Sequence, residues 1–220
     1  MGPRGDAIAE FDWSVGQILE TLDRLGIAEN TLIILSSDNG PVVDDGYQDQ
    51  AVERLGDHKP AGALRGGKYS AFEAGTRVPF LVRWPGQAKP GVSEALVSQI
   101  DLMGTLSQLS GQPIPDQAAP DSFNALDTWL GKSEKSRDYV VLQSTGTMSL
   151  VQENWKYITP SKAARYNRFT NTELGNDTVP QLYNLTTDVG EQVNIALENS
   201  EVVQQLAAKL QELKATERTR

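Results

Sequence analysis

The chain has 220 residues, with 29 acidic and 20 basic side chains, a formal net charge of −9, one histidine and no cysteine. That balance leaves no basic face for phosphate backbones and excludes nucleic acid as a partner. The missing cysteine excludes disulfides, thiolate metal sites and a cysteine nucleophile. No stretch of about 18 apolar residues exists, so nothing in the sequence spans a membrane. The opening Met-Gly-Pro-Arg-Gly-Asp also lacks the apolar core of an export signal.

From Asp6 to Leu25, apolar residues fall at Ile8, Phe11, Val15, Ile18, Leu19, Leu22 and Leu25. These three- and four-residue steps predict an amphipathic helix, with Asp6 as N-cap and Gly26 as the stop. Thr31–Leu35 is a short apolar run that reads as a buried strand, so the first elements form one αβ unit of a mainly parallel sheet. The strand runs into Leu-Ser-Ser-Asp-Asn-Gly-Pro at 35–41. In open α/β sheets ligands sit beyond the carboxyl ends of strands, where Asp38 and Asn39 fall. Their carboxylate and amide oxygens suit Ca²⁺ or Mg²⁺. The alternative is plain turn chemistry, which Asp-Asn-Gly also satisfies.

Residues 40–76 are too long and too polar for a connector, and loops of that length in compact domains are functional or disordered. Between Asp57 and Arg77 the cations Lys59, Arg65, Lys68 and Arg77 outnumber the carboxylates Asp57 and Glu73. A local excess of this kind attracts anions, although ordinary surface variation produces it too. His58 is either polar surface or a substrate contact. Arg65 either orients the loop through a carboxylate such as Glu73 or touches substrate. Asp44, Asp45 and Tyr47 are expected on a substrate-facing rim.

Val78–Trp84 predicts a strand that Pro79 opens, and Ala95–Ile100 a further extended segment. Asp101 is expected to cap a helix running to about Leu109. Gln112–Pro120, rich in Pro, Gln and Ala, marks a boundary that divides the chain into 1–115 and 116–220. Beyond it Phe123–Leu130 predicts a short helix. Tyr139–Gln143, Ser149–Gln152, Trp155–Thr159 and Gln181–Leu185 predict a small antiparallel sheet. The helix Glu198–Leu213 presents Val202, Val203, Leu206, Leu210 and Leu213 to one side of that sheet, and the charged tail is expected to fray. Trp84, Trp129, Trp155 and Tyr183 read as packing aromatics. Asn176-Asp-Thr and Asn184-Leu-Thr match the glycosylation acceptor pattern, a short match that chance often supplies.

Taken together, Ser-Asp-Asn-Gly-Pro, Leu-Arg-Gly-Gly-Lys, Phe-Glu-Ala-Gly-Thr-Arg-Val-Pro and Val-Arg-Trp-Pro-Gly resemble, in order and spacing, sulfatases of the arylsulfatase family. Asp12-Trp-Ser-Val-Gly-Gln-Ile-Leu, Asn154-Trp-Lys-Tyr-Ile, Leu182-Tyr-Asn-Leu and Asp188-Val-Gly-Glu extend the resemblance over nearly the whole chain. It implies an alkaline-phosphatase-like α/β fold, a mainly parallel sheet sandwiched by helices. A small antiparallel sheet and a C-terminal helix would follow. It also implies hydrolysis of sulfate esters of carbohydrates or aryl groups with a bound Ca²⁺, Mg²⁺ being the alternative. By the same resemblance Asp38 and Asn39 are metal ligands and Lys68 is the catalytic lysine on the sulfate. His58 and Arg65 are expected on the substrate side.

The family's nucleophile is a formylglycine made from Cys/Ser-x-Pro-x-Arg, and neither form of that motif occurs here. The early Asp pair that completes the metal site is also missing. The resemblance is therefore to the C-terminal part of a sulfatase, inactive alone, with the missing N-terminal half or a second copy as the expected partner. A sheet cut before its central strands exposes edges and apolar faces. The rival readings are a non-catalytic remnant or binding module, and a phosphoester hydrolase of the same fold. A single histidine fits a two-metal phosphoester site poorly. Family members are commonly exported, to the periplasm, the extracellular space or the lysosome, and the sequence leaves the compartment open.

Overall fold

The computed structural model describes residues 2–115 and 117–220. Helix α1 runs from Gly2 to Arg24 and stops at Gly26, whose φ of 68° favours a residue without Cβ. It starts one turn before the expected N-cap, so Asp6 lies inside it. None of its residues is buried, and its apolar stripe is open: Phe11 is 56 % and Ile18 57 % exposed.

Strand β1 (Ile33–Ser36) follows a single 3-10 turn, Ala28–Asn30. The short helix α2 (Glu73–Thr76) ends the long polar loop, and β2 (Phe80–Arg83) pairs antiparallel with β1, Ile33 facing Arg83 and Ser36 facing Phe80. No parallel strand pair occurs among the described residues. All four β1 residues are only half-buried, because no layer of the described chain covers both faces. No strand forms at Ala95–Ile100. The chain there turns into α3 (Asp101–Ser110), whose N-cap position is Ile100 without a side-chain cap, so Asp101 is its first residue rather than the expected cap. Its fully buried carboxylate accepts the Ser98 and Phe123 N–H groups, each at 2.9 Å, and the Arg137 guanidinium at 3.2 Å, so it ties three segments together.

After α4 (Leu126–Trp129), four strands build the second sheet: β3 (Tyr139–Gln143), β4 (Met148–Gln152), β5 (Trp155–Ile158) and, later in sequence, β8 (Gln181–Asn184). They lie in the order β3-β4-β5-β8, all antiparallel. The two-residue strands β6 (Tyr166–Asn167) and β7 (Thr172–Glu173) form a hairpin that the sequence does not announce, being short and polar. Helix α5 (Ser200–Thr216) closes the fold.

Alternation along the strands gives this sheet two covered faces. On one face Leu150, Tyr157 and Leu182 pack against Leu206, Leu210 and Leu213 of α5. Burying each such leucine is worth about 2 kcal/mol. On the other face Ile158 and Tyr183 pack against Ala71 and Phe72, from the loop before α2. The first part of the chain is thus the second layer of the C-terminal sheet. The expected boundary at 115/116 is crossed by Arg65–Glu173, Glu73–Lys156 and Asp101–Arg137 ion pairs. Asp116, one side of that boundary, lies outside the described residues.

The C-terminal tail does not fray. Thr219 donates through its N–H and its hydroxyl to Asp121, at 2.7 and 2.9 Å, and its carbonyl accepts from the Tyr139 hydroxyl. Asn176 is buried and its amide donates to the carbonyls of Thr145 and Ala164, so it is a packing residue rather than a glycan acceptor.

Candidate functional site

The turn after β1 is fixed from three sides. The Ser36 hydroxyl donates to the Pro79 carbonyl at 2.8 Å, linking the ends of the β1–β2 pair. Gln99 donates its amide to Ser36 Oγ and to the Ser37 carbonyl. The Gly40 N–H donates to the Gly75 carbonyl at 3.1 Å, in the last turn of α2. Gly40 is required there by contact, since a Cβ would lie 1.6 Å from the Ala74 oxygen.

This locked turn carries Asp38 and Asn39. Asp38 is exposed and Asn39 half-buried. Asn39 donates its amide nitrogen to the Gly40 carbonyl at 2.9 Å, which leaves its Oδ1 as the acceptor of that side chain. One carboxylate and one oriented amide oxygen are hard donors of the kind Ca²⁺ and Mg²⁺ take. They fit such an ion as part of a ligand set. No cluster of three or more His, Cys, Asp or Glu occurs among the described residues. Ca²⁺ takes six to eight oxygens, so the two would need ligands from elsewhere.

Lys68 reaches the same turn. Its N–H donates to the Pro41 carbonyl at 2.9 Å, two residues beyond Asn39. Gly67 makes this approach possible, since a Cβ there would meet the Pro41 oxygen at 2.6 Å. The next residue, Tyr69, has φ 78°, an uncommon conformation for a bulky side chain, and its ring lies 5.4 Å from the Lys68 ammonium. Strain of this kind gathers where a neighbouring side chain must be aimed. Asp38, Asn39 and Lys68 thus emerge from one hydrogen-bonded knot.

Arg65 lies beneath that knot. Its guanidinium grips Glu173 in a two-point contact at 2.8 and 2.6 Å, donates to the Glu191 carbonyl at 2.5 Å and covers the Phe72 ring at 4.0 Å. The hydrogen bonds to Glu173 hold its pKa above the ordinary value. Its carboxylate partner is Glu173, on the unannounced β6–β7 hairpin, rather than the expected Glu73. His58 is exposed and outside the knot, and no side-chain hydrogen bond ties it to either motif among the described residues. Asp44 and Asp45 accept the N–H groups of Gly46 and Tyr47, so they stabilise their own turns, and Tyr47 stands 77 % exposed beside them.

A groove of about 640 Å³ opens against Asn39, Gly40 and Pro41, with Arg4 and Arg77 adding positive charge and Leu64 on its floor. Nothing in the sequence pattern singles out Arg4. A second cavity of about 460 Å³, lined by Thr147, Thr159 and Lys214, lies at the far edge of the C-terminal sheet and touches none of these residues.

The sequence model of the sulfatase family matches residues 1–112. This chain belongs to the sulfatase family. A second family model, the C-terminal region of N-sulphoglucosamine sulphohydrolase, matches residues 67–216 of this sulfatase chain. The chain is 52 % identical over 215 residues to an N-acetylgalactosamine-6-O-sulfatase of Bacteroides thetaiotaomicron, covering 97 % of the chain and 42 % of that protein. It is 32 % identical over 236 residues to human arylsulfatase A, covering 97 % and 43 %. A solved sulfatase structure from work on glycosaminoglycan metabolism by B. thetaiotaomicron superimposes with a TM-score of 0.94 at 52 % identity, over 97 % of this chain and 45 % of that one. The sulfatase chain therefore has the alkaline-phosphatase-like α/β fold, and it spans under half the length of the relatives it matches.

Proposed function

We propose that this chain is the C-terminal part of a sulfuric ester hydrolase acting on sulfated carbohydrate. Sugars carrying a 6-O-sulfated N-acetylgalactosamine are the first substrates to try. The substrate class is supported by the 52 % identity to the N-acetylgalactosamine-6-O-sulfatase. The observation that supports the chemistry is the backbone hydrogen bond from the Lys68 N–H to the Pro41 carbonyl, which brings the Lys68 backbone to the turn that carries Asp38 and Asn39.

In this reading Asp38 and Asn39 Oδ1 hold a divalent cation, Ca²⁺ or Mg²⁺, completed by ligands outside the chain. When bound, that ion polarises the sulfate oxygens. Lys68 places an ammonium against the same oxygens and stabilises the charge that develops on them or on the leaving oxygen. Arg4 and Arg77, lining the groove, add attraction for the anion. Arg65 spends its donors on Glu173 and Glu191 and positions the loop. His58, on the outer surface, is left as a contact to distal sugar. The formylglycine nucleophile belongs to residues outside these 220, and the isolated chain is inactive.

The test uses the full-length protein that carries this chain, with a 6-O-sulfated N-acetylgalactosamine, an aryl sulfate and an aryl phosphate as substrates. Sulfate release that requires Ca²⁺, and that falls about 10²–10³-fold in Lys68→Ala, is the expected result. Faster release from the phosphate ester favours a phosphoester hydrolase. No release from any ester leaves the chain as a binding module.

A further inference from the structure

Three ionisable side chains lie buried behind the candidate site, and the reaction does not use them. Lys156, Glu191 and Glu73 are 0 %, 0 % and 5 % exposed. Lys156 projects from β5 on the same face as Ile158, toward the loop before α2. Its ammonium lies 2.9 Å from Glu73 Oε1 and 3.1 Å from Glu191 Oε1. Glu191 Oε2 accepts the Glu73 N–H, and Glu191 itself has φ 51°, an uncommon conformation that this contact holds in place. Two carboxylates around one buried lysine are costly to desolvate, and an apolar trio would be cheaper for stability alone.

The contacts continue outward from these three to both motifs. The Glu191 carbonyl accepts from Arg65 Nη1. The Arg65 carbonyl accepts the Ala74 N–H at 2.9 Å, in the α2 turn that Glu73 opens. The Gly75 carbonyl then receives the Gly40 N–H, and the Pro41 carbonyl receives the Lys68 N–H. Each link is a single hydrogen bond or ion pair. The path runs from β5 to the turn that carries Asn39 and, through Pro41, to Lys68.

We propose that Lys156, Glu191 and Glu73 form a buried strut through which the C-terminal sheet positions Asp38, Asn39 and Lys68, with Lys156 and Glu191 as positioning residues. Where it concerns turnover, this rests on the sulfatase reading. The strut explains why a sheet with no residue in the chemistry is built onto the loop of the site. Misplacing reacting groups by a fraction of an ångström costs rate more than binding.

The experiment compares Lys156→Met, Lys156→Arg and Glu191→Gln with the wild type in the full-length protein carrying this chain. Methionine keeps the apolar stem, arginine restores the cation, and glutamine keeps the acceptor for the Glu73 N–H. The first readout is amide hydrogen exchange. Lys156→Met and Glu191→Gln should speed exchange at Gly40, Lys68 and Ala74 at least tenfold, while the β3–β4 amides keep their protection, and Lys156→Arg should restore part of the loss. The second readout is sulfate release, with kcat reduced roughly 10–100-fold and KM little changed.

Unchanged exchange at Gly40 and Lys68 in both variants overturns the strut. So does equal acceleration everywhere, including β3–β4, because the trio would then be general core. If Lys156→Met does not fold, Glu191→Gln decides by the same criterion. A wild type without activity on any sulfate ester removes the sulfatase reading, while the exchange data still decide the strut.

Discussion

The Lys68 N–H donates to the Pro41 carbonyl across a gap that Gly67 keeps free of side chain, so two motifs 27 positions apart share one backbone hydrogen bond. Asp38 and Asn39 lie three and two residues before Pro41, so the bond ties the Lys68 backbone to the turn that carries them.

Gly40→Ala tests the knot directly. The added methyl would sit 1.6 Å from the Ala74 oxygen, and backbone on both sides must move to admit it. A loss of about 2 kcal/mol or more is expected in chemical denaturation, because overpacking against backbone has no rotamer escape. A Gly16→Ala variant, with open space at its Cβ on the exposed helix α1, serves as the control and should be neutral or slightly stabilising.

Removing the Arg65 guanidinium should cost more than an exposed ion pair does. Arg65→Ala leaves Glu173 without its two-point partner, uncovers Phe72 and frees the Glu191 carbonyl. A destabilisation of about 2–3 kcal/mol is expected. Lys is a poor substitute, since an ammonium lacks the planar fork that the contact uses. Thermal or urea unfolding of Arg65→Ala and Arg65→Lys would show whether the two fall together.

Stability should also depend on pH through Glu191. Burial pushes its carboxyl up to about 7 from the model-peptide value of 4.5, against the opposing pull of Lys156 on β5. Glu73 on α2 adds to the rise by like charge, while its N–H, by donating to Glu191, opposes it. Arg65, Glu173 and Tyr183 complete the charged and titratable surroundings, and burial holds Tyr183 up at about 12. Above pH 4.5 the folded state then binds a proton that the unfolded chain has released. The contribution of Glu191 is therefore fully present below pH 4.5 and is lost as pH rises through about 7. Glu191→Gln cannot titrate, so the gap between its unfolding free energy and that of the wild type should change by roughly 3 kcal/mol at most over that window. A constant gap from pH 4.5 to 7 would contradict the assignment.

The open stripe of α1 predicts association. Ile8, Phe11 and Ile18, on one face of the helix, are each more than 40 % exposed. Contiguous apolar surface of this kind binds other apolar surface. The 220-residue chain by itself should bind a hydrophobic dye and sediment as more than one species, and a Phe11→Glu/Ile18→Lys double variant should reduce both signals. A monodisperse wild-type monomer without dye binding would refute this.

Local chemistry made much of this protein legible from its sequence. Three-and-four spacing marks α1 and α5, alternating apolar residues mark β3, β4, β5 and β8, and Asp-Asn-Gly-Pro after an apolar strand marks the turn that carries Asp38 and Asn39. These signals survive in sequence because they depend on neighbours within a few positions. The motifs, by their resemblance to sulfatases, also pointed to the family. Only the tertiary structure decided which partner each charge takes. Arg65 pairs with Glu173 on a hairpin without periodicity, Asp101 joins Ser98, Phe123 and Arg137, and Lys156 sits buried between two glutamates. A lysine or glutamate in sequence reads as surface, because burial of its charge is favourable only where distant segments deliver the opposite charge.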